Sequence, residues 1–99
     1  MGSLKDKWVT ENLPPPYKDL IVEVETANSG FGIAVKLALN YRLVDETRVA
    51  PGAGSALYGV QVIGWRDIRV EVRVQNDRVM STYELYLNGE FHSMHKMRL

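Results

Sequence analysis

The chain has 99 residues, no cysteine, 45% hydrophobic and 24% charged residues. That size sets one domain with a modest core, and the missing cysteines exclude a disulfide framework and a thiolate zinc site. Twelve basic residues balance twelve acidic ones, which removes the basic excess of a dedicated nucleic-acid binder. No apolar run approaches the ~18 residues of a membrane span. Met1 to Leu20 lacks the apolar centre of a secretory signal, so a cytoplasmic protein is expected.

Residues 1–19, MGSLKDKWVTENLPPPYKD, read as an extended, Pro-rich lead-in to one domain spanning 1–99. Pro14, Pro15 and Pro16 remove three amide donors and bar the segment from a central strand. Trp8 has two readings: it folds back to plug one end of the core, or it stays exposed as a contact residue. Pro14-Pro15-Pro16-Tyr17 also matches the ligand motif of WW domains, which dock a preformed polyproline II segment.

Residues 20–26, LIVEVET, alternate as a strand, and 27–32, ANSGFG, make a turn. In residues 33–44 the larger apolar side chains fall on odd positions, from Ile33 to Leu43. A strand collects them on one face where a helix would scatter them, so the spacing predicts a long strand, bent near Ala38, with a helix as the alternative. Residues 45–56, DETRVAPGAGSA, read as a flexible loop. Residues 57–65, LYGVQVIGW, fit a strand apolar on both faces and bent at a glycine.

Residues 68–87 carry the clearest pattern. Ile68, Val70, Val72 and Val74 alternate with Arg69, Glu71 and Arg73, and the alternation resumes at Val79, Ser81, Tyr83, Leu85 and Leu87. Asn76-Asp77 as a two-residue turn would set Val70 opposite Tyr83 and Arg69 opposite Glu84. Asn88-Gly89 predicts a second hairpin, leading into a strand over 90–97. Its register is open. Phe91 lies outside beside Tyr86, or a bulge after Gly89 turns it in. The expected fold is all-β: six antiparallel strands in a meander, forming a small barrel or a twisted sandwich.

Chemistry-bearing patterns are sparse. His92 and His95 point to opposite faces of a strand and lack a third ligand nearby, so no metal is expected. Ser55 sits in no nucleophile elbow, and GAGSA lacks the lysine of a phosphate-binding loop. Glu23/Glu25 and Asp45/Glu46 read as solvated carboxylates. No catalytic residue and no cofactor emerge, and the chain is not expected to be an enzyme. Arg66, Arg69, Arg73 and Arg78 with Tyr86 and Phe91 could form a nucleic-acid platform. Asp67, Glu71 and Glu84 share that face and neutralise it.

The run Trp8-Val9-Thr10-Glu11-Asn12-Leu13-Pro14, with Asp19 to Val22 and a strand closing at Val62-Ile63-Gly64-Trp65, resembles a short domain of unknown function common in bacteriophages and prophages. The resemblance covers about residues 7–68. It departs after Trp65, where the family has a Pro-rich tail and this chain continues with strands. It implies a phage accessory protein in a host cytoplasm and carries over no catalytic residue. The reading is therefore non-catalytic binding to a bacterial host protein, possible host-factor inhibition included, through Trp8, Tyr17, Tyr58, Arg69, Arg73, Tyr86, Phe91 and the loop from Arg48 to Ser55. The alternatives are a small-ligand or nucleotide-binding β-module, oligomeric or not, and a viral structural protein whose PPPY segment recruits a WW partner.

Overall fold

The computed structural model describes residues 5–98. Eight strands follow in order: β1 (Lys5–Thr10), β2 (Val22–Ser29), β3 (Gly32–Leu39), β4 (Arg42–Val49), β5 (Gly54–Ile63), β6 (Arg66–Asn76), β7 (Met80–Leu87) and β8 (Glu90–Arg98). They form two antiparallel meanders, β1-β2-β3-β4 and β5-β6-β7-β8. The sheets share one core, with Val22, Val24, Val35, Leu37 and Leu39 from the first and Leu57, Val70, Val72, Tyr83 and Leu85 from the second. No backbone ladder joins the sheets, so the fold is a sandwich and not a closed barrel. No helix among the described residues is long and apolar enough to cross a membrane.

Two further strands arise where the sequence reads otherwise. The lead-in holds β1, whose Trp8 faces inward opposite Val24. Residues 33–44 are not one bent strand. Asn40 and Tyr41 both take positive φ, 47° and 69°, and reverse the chain between β3 and β4. Tyr at a position that usually demands glycine hides this turn. The expected loop over 45–56 is also mostly strand. β4 runs through Val49, β5 begins at Gly54, and a short turn closed by Ala53 N–H donating to Ala50 O links them.

The two sheets are copies. Displaced by 48 residues, Val22, Glu23, Val24, Asn28, Leu37, Leu39 and Asn40 meet Val70, Glu71, Val72, Asn76, Leu85, Leu87 and Asn88. The backbone repeats with them. Val22 opposes Leu39 as Val70 opposes Leu87, and bulges fall at Leu37/Ala38 and Leu85/Tyr86. Asn40 Oδ1 accepts from Ile21 N–H at 2.7 Å, and Asn88 Oδ1 from Arg69 N–H at 2.9 Å. The two meanders thus repeat one strand order, register and bulge. At one seam the Thr47 and Ser55 hydroxyls of β4 and β5 bond at 3.1 Å. At the matching seam of β8 and β1, His95 Nε2 meets Asp6 Oδ2 at 2.7 Å.

The β6–β7 register is displaced from the expected one. Val70 opposes Leu87 and Val74 opposes Tyr83, because Asn76 is a strand residue and not part of the turn. Its buried side chain donates to Val49 O and accepts from Arg78 N–H. The turn is built by the next residues, with Asp77 N–H donating to Met80 O and Val79 exposed.

Tyr83 crosses the core, and its hydroxyl accepts from Thr26 Oγ1 at 2.8 Å. Burial raises its pKa above the ordinary 10.0, and the nearby hydroxyls of Thr26 and Ser81 pull it back only in part. The folded chain therefore holds the phenolic proton where the unfolded chain releases it. This contribution is complete below pH 10 and declines as pH rises past that value. Tyr83→Phe is expected to cost about 1 kcal/mol at neutral pH by leaving Thr26 unpaired. It is also expected to flatten the alkaline loss of stability in urea titrations between pH 9 and 11, which spans the reference value. Parallel pH profiles for the two proteins would refute the assignment.

Candidate functional site

Strand alternation sorts the nine candidate contact residues into two groups. Tyr58, Arg69, Arg73, Tyr86 and Phe91 all project from the outer face of the second sheet. Their cross-strand partners there are Glu71, Val60, Ala56 and Glu84. Tyr58 on β5 is exposed, as are Phe91 and Met94 on β8 at the other edge. The bulge after Phe91 keeps Phe91 outside and turns Ser93, His95 and Met97 toward the core. The edge of this hairpin therefore combines both registers that its sequence left open.

The centre of the face is preorganised. The Arg73 guanidinium lies 4.1 Å from the Tyr86 ring centroid, and its Nε donates to Glu71 Oε2 at 2.8 Å. That hydrogen bond is the chief cause raising the Arg73 pKa, so the group stays charged. Phe91 meets Tyr86 edge-on with centroids 5.7 Å apart, a favoured geometry for paired aromatic rings. Beside this cluster, a shallow groove of about 520 Å³ runs over Tyr58, Val60, Arg69, Glu71 and Gly89. A second groove continues past Tyr58 and Arg73 to Thr82 and Glu84.

The other four candidates lie elsewhere. Trp8 is half-buried, packed on the core and stacked on His95 with centroids 5.4 Å apart. It plugs the β1–β8 seam, the first of its two readings. Tyr17 packs partly buried against the core, and its N–H donates to Pro14 O at 2.8 Å. The PPPY segment therefore closes a turn and is not an extended polyproline II helix. Arg48 is exposed on β4 and borders a different groove, near Phe31. Ser55 is held in the β4–β5 seam by Thr47.

Two groups were not among the candidates. Glu71, Glu84 and Met94 complete the outer face; alternation sets the two glutamates there, as the sequence reading has it, whereas Met94 arrives opposite Glu84 only through the bulge in β8. His95 with Asp6 was hidden, because Asp6 and His95 meet only through tertiary packing. Among the described residues, no three His, Cys, Asp or Glu side chains are grouped to hold a metal ion.

The repeat supplies an internal reference for this face. Where the second sheet has Arg73, Tyr86 and Phe91, the first has Glu25, Ala38 and Leu43. Where it has Tyr58 and Met94, the first has Val9 and Glu46. The fold itself does not require aromatic rings there. No family model, no curated protein and no solved structure matches the chain.

Proposed function

We propose that this protein acts by non-catalytic binding to another protein, through the outer face of the second sheet. The observation that carries the reading is the difference between the repeats. On its outer face one meander has half-buried Ala34 and Ala38, exposed Val9 and Leu43 but no aromatic ring, and an ion pair from Lys7 to Glu23 at 2.8 Å. The other exposes Tyr58, Arg73, Phe91 and Met94 around a half-buried Tyr86. Tyr, Arg and Met side chains supply much of the energy of protein interfaces. The stacked, salt-bridged Arg73 loses little conformational freedom on contact, which lowers the cost of binding. Glu71 and Glu84 interleave with the arginines, so the face suits a partner surface of mixed charge and not a polyanion.

The resemblance to phage domains makes a bacterial host protein the first partner to seek, and host-factor inhibition the activity to measure. The nucleotide-binding alternative has less behind it, because residues 50–53 form a tight connection and not a ligand-lining loop. The test is capture from bacterial lysate on the immobilised chain. One stoichiometric protein is expected. Arg73→Ala and Tyr86→Ala should each weaken its retention by about tenfold or more, while Lys36→Ala on the other sheet should not. A blank capture, or one that both variants leave unchanged, overturns the reading.

A further inference from the structure

The sandwich has four edge strands, and three carry charges that guard against edge-to-edge pairing. β1 has Lys5, Asp6 and Lys7; β4 has Arg42, Asp45, Glu46 and Arg48; β8 has Glu90, Lys96 and Arg98. β5, GSALYGVQVI, is the longest of the four and has no charged residue and no proline. Natural sheets rarely leave such an edge bare.

Part of β5 is covered from within. Tyr58 N–H donates to Asp45 Oδ2 at 2.9 Å, and Ser55 bonds to Thr47. Val44 lies so close to Gly59 that a Cβ there would approach it to 2.6 Å. Beyond Gly59 the cover ends. In the first repeat, β1 stops at Thr10, the counterpart of Gly59, whereas β5 continues to Ile63. Antiparallel pairing alternates the direction of the backbone groups. Tyr58 N–H points away from β6, so the amides of Val60 and Val62 do too. Among the described residues, neither meets a backbone partner on that side, and Val62 O has only the Gln61 side chain at 3.3 Å. The Val60 and Val62 side chains are exposed, and Trp65 at the hairpin tip is 85% exposed.

We propose that this edge pairs with the same edge of a second copy of the chain, antiparallel about a two-fold axis. The two second sheets then become one continuous sheet. A second copy fits because an uncharged strand meets no like charge in its own image. Residues directly opposite must lie on one face, and Tyr58 is already capped by Asp45. The register that satisfies both conditions and pairs both free valine amides with each other sets Val60 opposite Val62 of the second copy. Each such pair exchanges both of its backbone hydrogen bonds. The same register brings Trp65 alongside Tyr58 of the second copy and places both Arg73–Tyr86 faces on one side of the joined sheet.

Sedimentation equilibrium from low micromolar to several hundred micromolar tests this. The expected mass rises toward twice the 11.2 kDa of one chain. Val62→Lys and Val60→Lys, both on exposed positions, should weaken self-association by at least about tenfold, because each sets an ammonium against an apolar valine of the second copy and takes it out of water. Val62→Pro, which deletes a free donor and keeps an apolar side chain, should do the same. Val9→Lys on β1 should leave it intact. Circular dichroism confirms that each variant is folded. A chain that stays monomeric throughout overturns the proposal, as does a dimer that the folded β5 variants leave unchanged.

Discussion

Trp8→Ala is expected to lower the unfolding free energy by about 3 kcal/mol, within the range for aromatic truncation in cores. For a domain of this size that means a melting temperature lower by roughly 15 °C. The repeat explains why so much rests on one half-buried side chain. Trp8 corresponds to Leu57, since the two oppose Val24 and Val72. Leu57 suffices at its seam because β4 closes over β5 there. At the other seam β1 and β8 are bridged by side chains, with the Trp8 ring on His95 and His95 on Asp6. Leucine at position 8 would leave part of that gap unfilled, so Trp8→Leu should fall between wild type and Trp8→Ala. Urea denaturation followed by circular dichroism measures the series. A Trp8→Ala protein as stable as wild type but unable to hold its partner would restore the contact reading.

Period-two alternation carried much of what was legible. Ile68 to Val74 and Ser81 to Leu87 face the core as their spacing implies, although their cross-strand partners differ from those expected. An even register displacement moves every partner and flips no side chain. Asn76 caused the displacement. Asn-Asp reads as a turn, but here the Asn side chain is buried and bonds to Val49 across the sandwich. No local pattern announces such a contact. The β3–β4 turn was legible in a different way. Asn40-Tyr41 is a poor turn signal alone, yet it occupies the place of Asn88-Gly89 once Val22-Glu23-Val24 is aligned with Val70-Glu71-Val72.

The candidate site divides along the same line. Tyr58, Arg73, Tyr86 and Phe91 could be grouped because their spacing sends them to one face of neighbouring strands. Trp8 and Tyr17 could not be placed. An aromatic residue in an irregular segment is buried or exposed according to where the chain folds back, and that is decided by tertiary packing.

Gly32→Ala is expected to cost about 3 kcal/mol, more than any other glycine replacement in a turn of the first sheet. A Cβ at Gly32 would be driven into the carbonyl oxygen of Val49, which is backbone and cannot rotate aside. That carbonyl also accepts from the buried Asn76 side chain at 3.1 Å. Displacing it therefore adds an unpaired buried amide, about 1–3 kcal/mol, to the overpacking strain, about 1–3 kcal/mol. Gly30→Ala is the control. Gly30 has φ +57° with nothing near its missing Cβ, so alanine there meets only the left-handed backbone penalty of about 1–2 kcal/mol. The counterpart of Gly32 in the second repeat is Met80, which shows that a side chain is tolerated at this position of the meander itself. What forbids one at Gly32 is the onward path of the chain: after Val49 it must turn at Ala50–Ala53 and enter the second sheet. Urea denaturation of both variants decides the matter, and a Gly32→Ala protein no less stable than Gly30→Ala would show that the Val49 carbonyl is free to move.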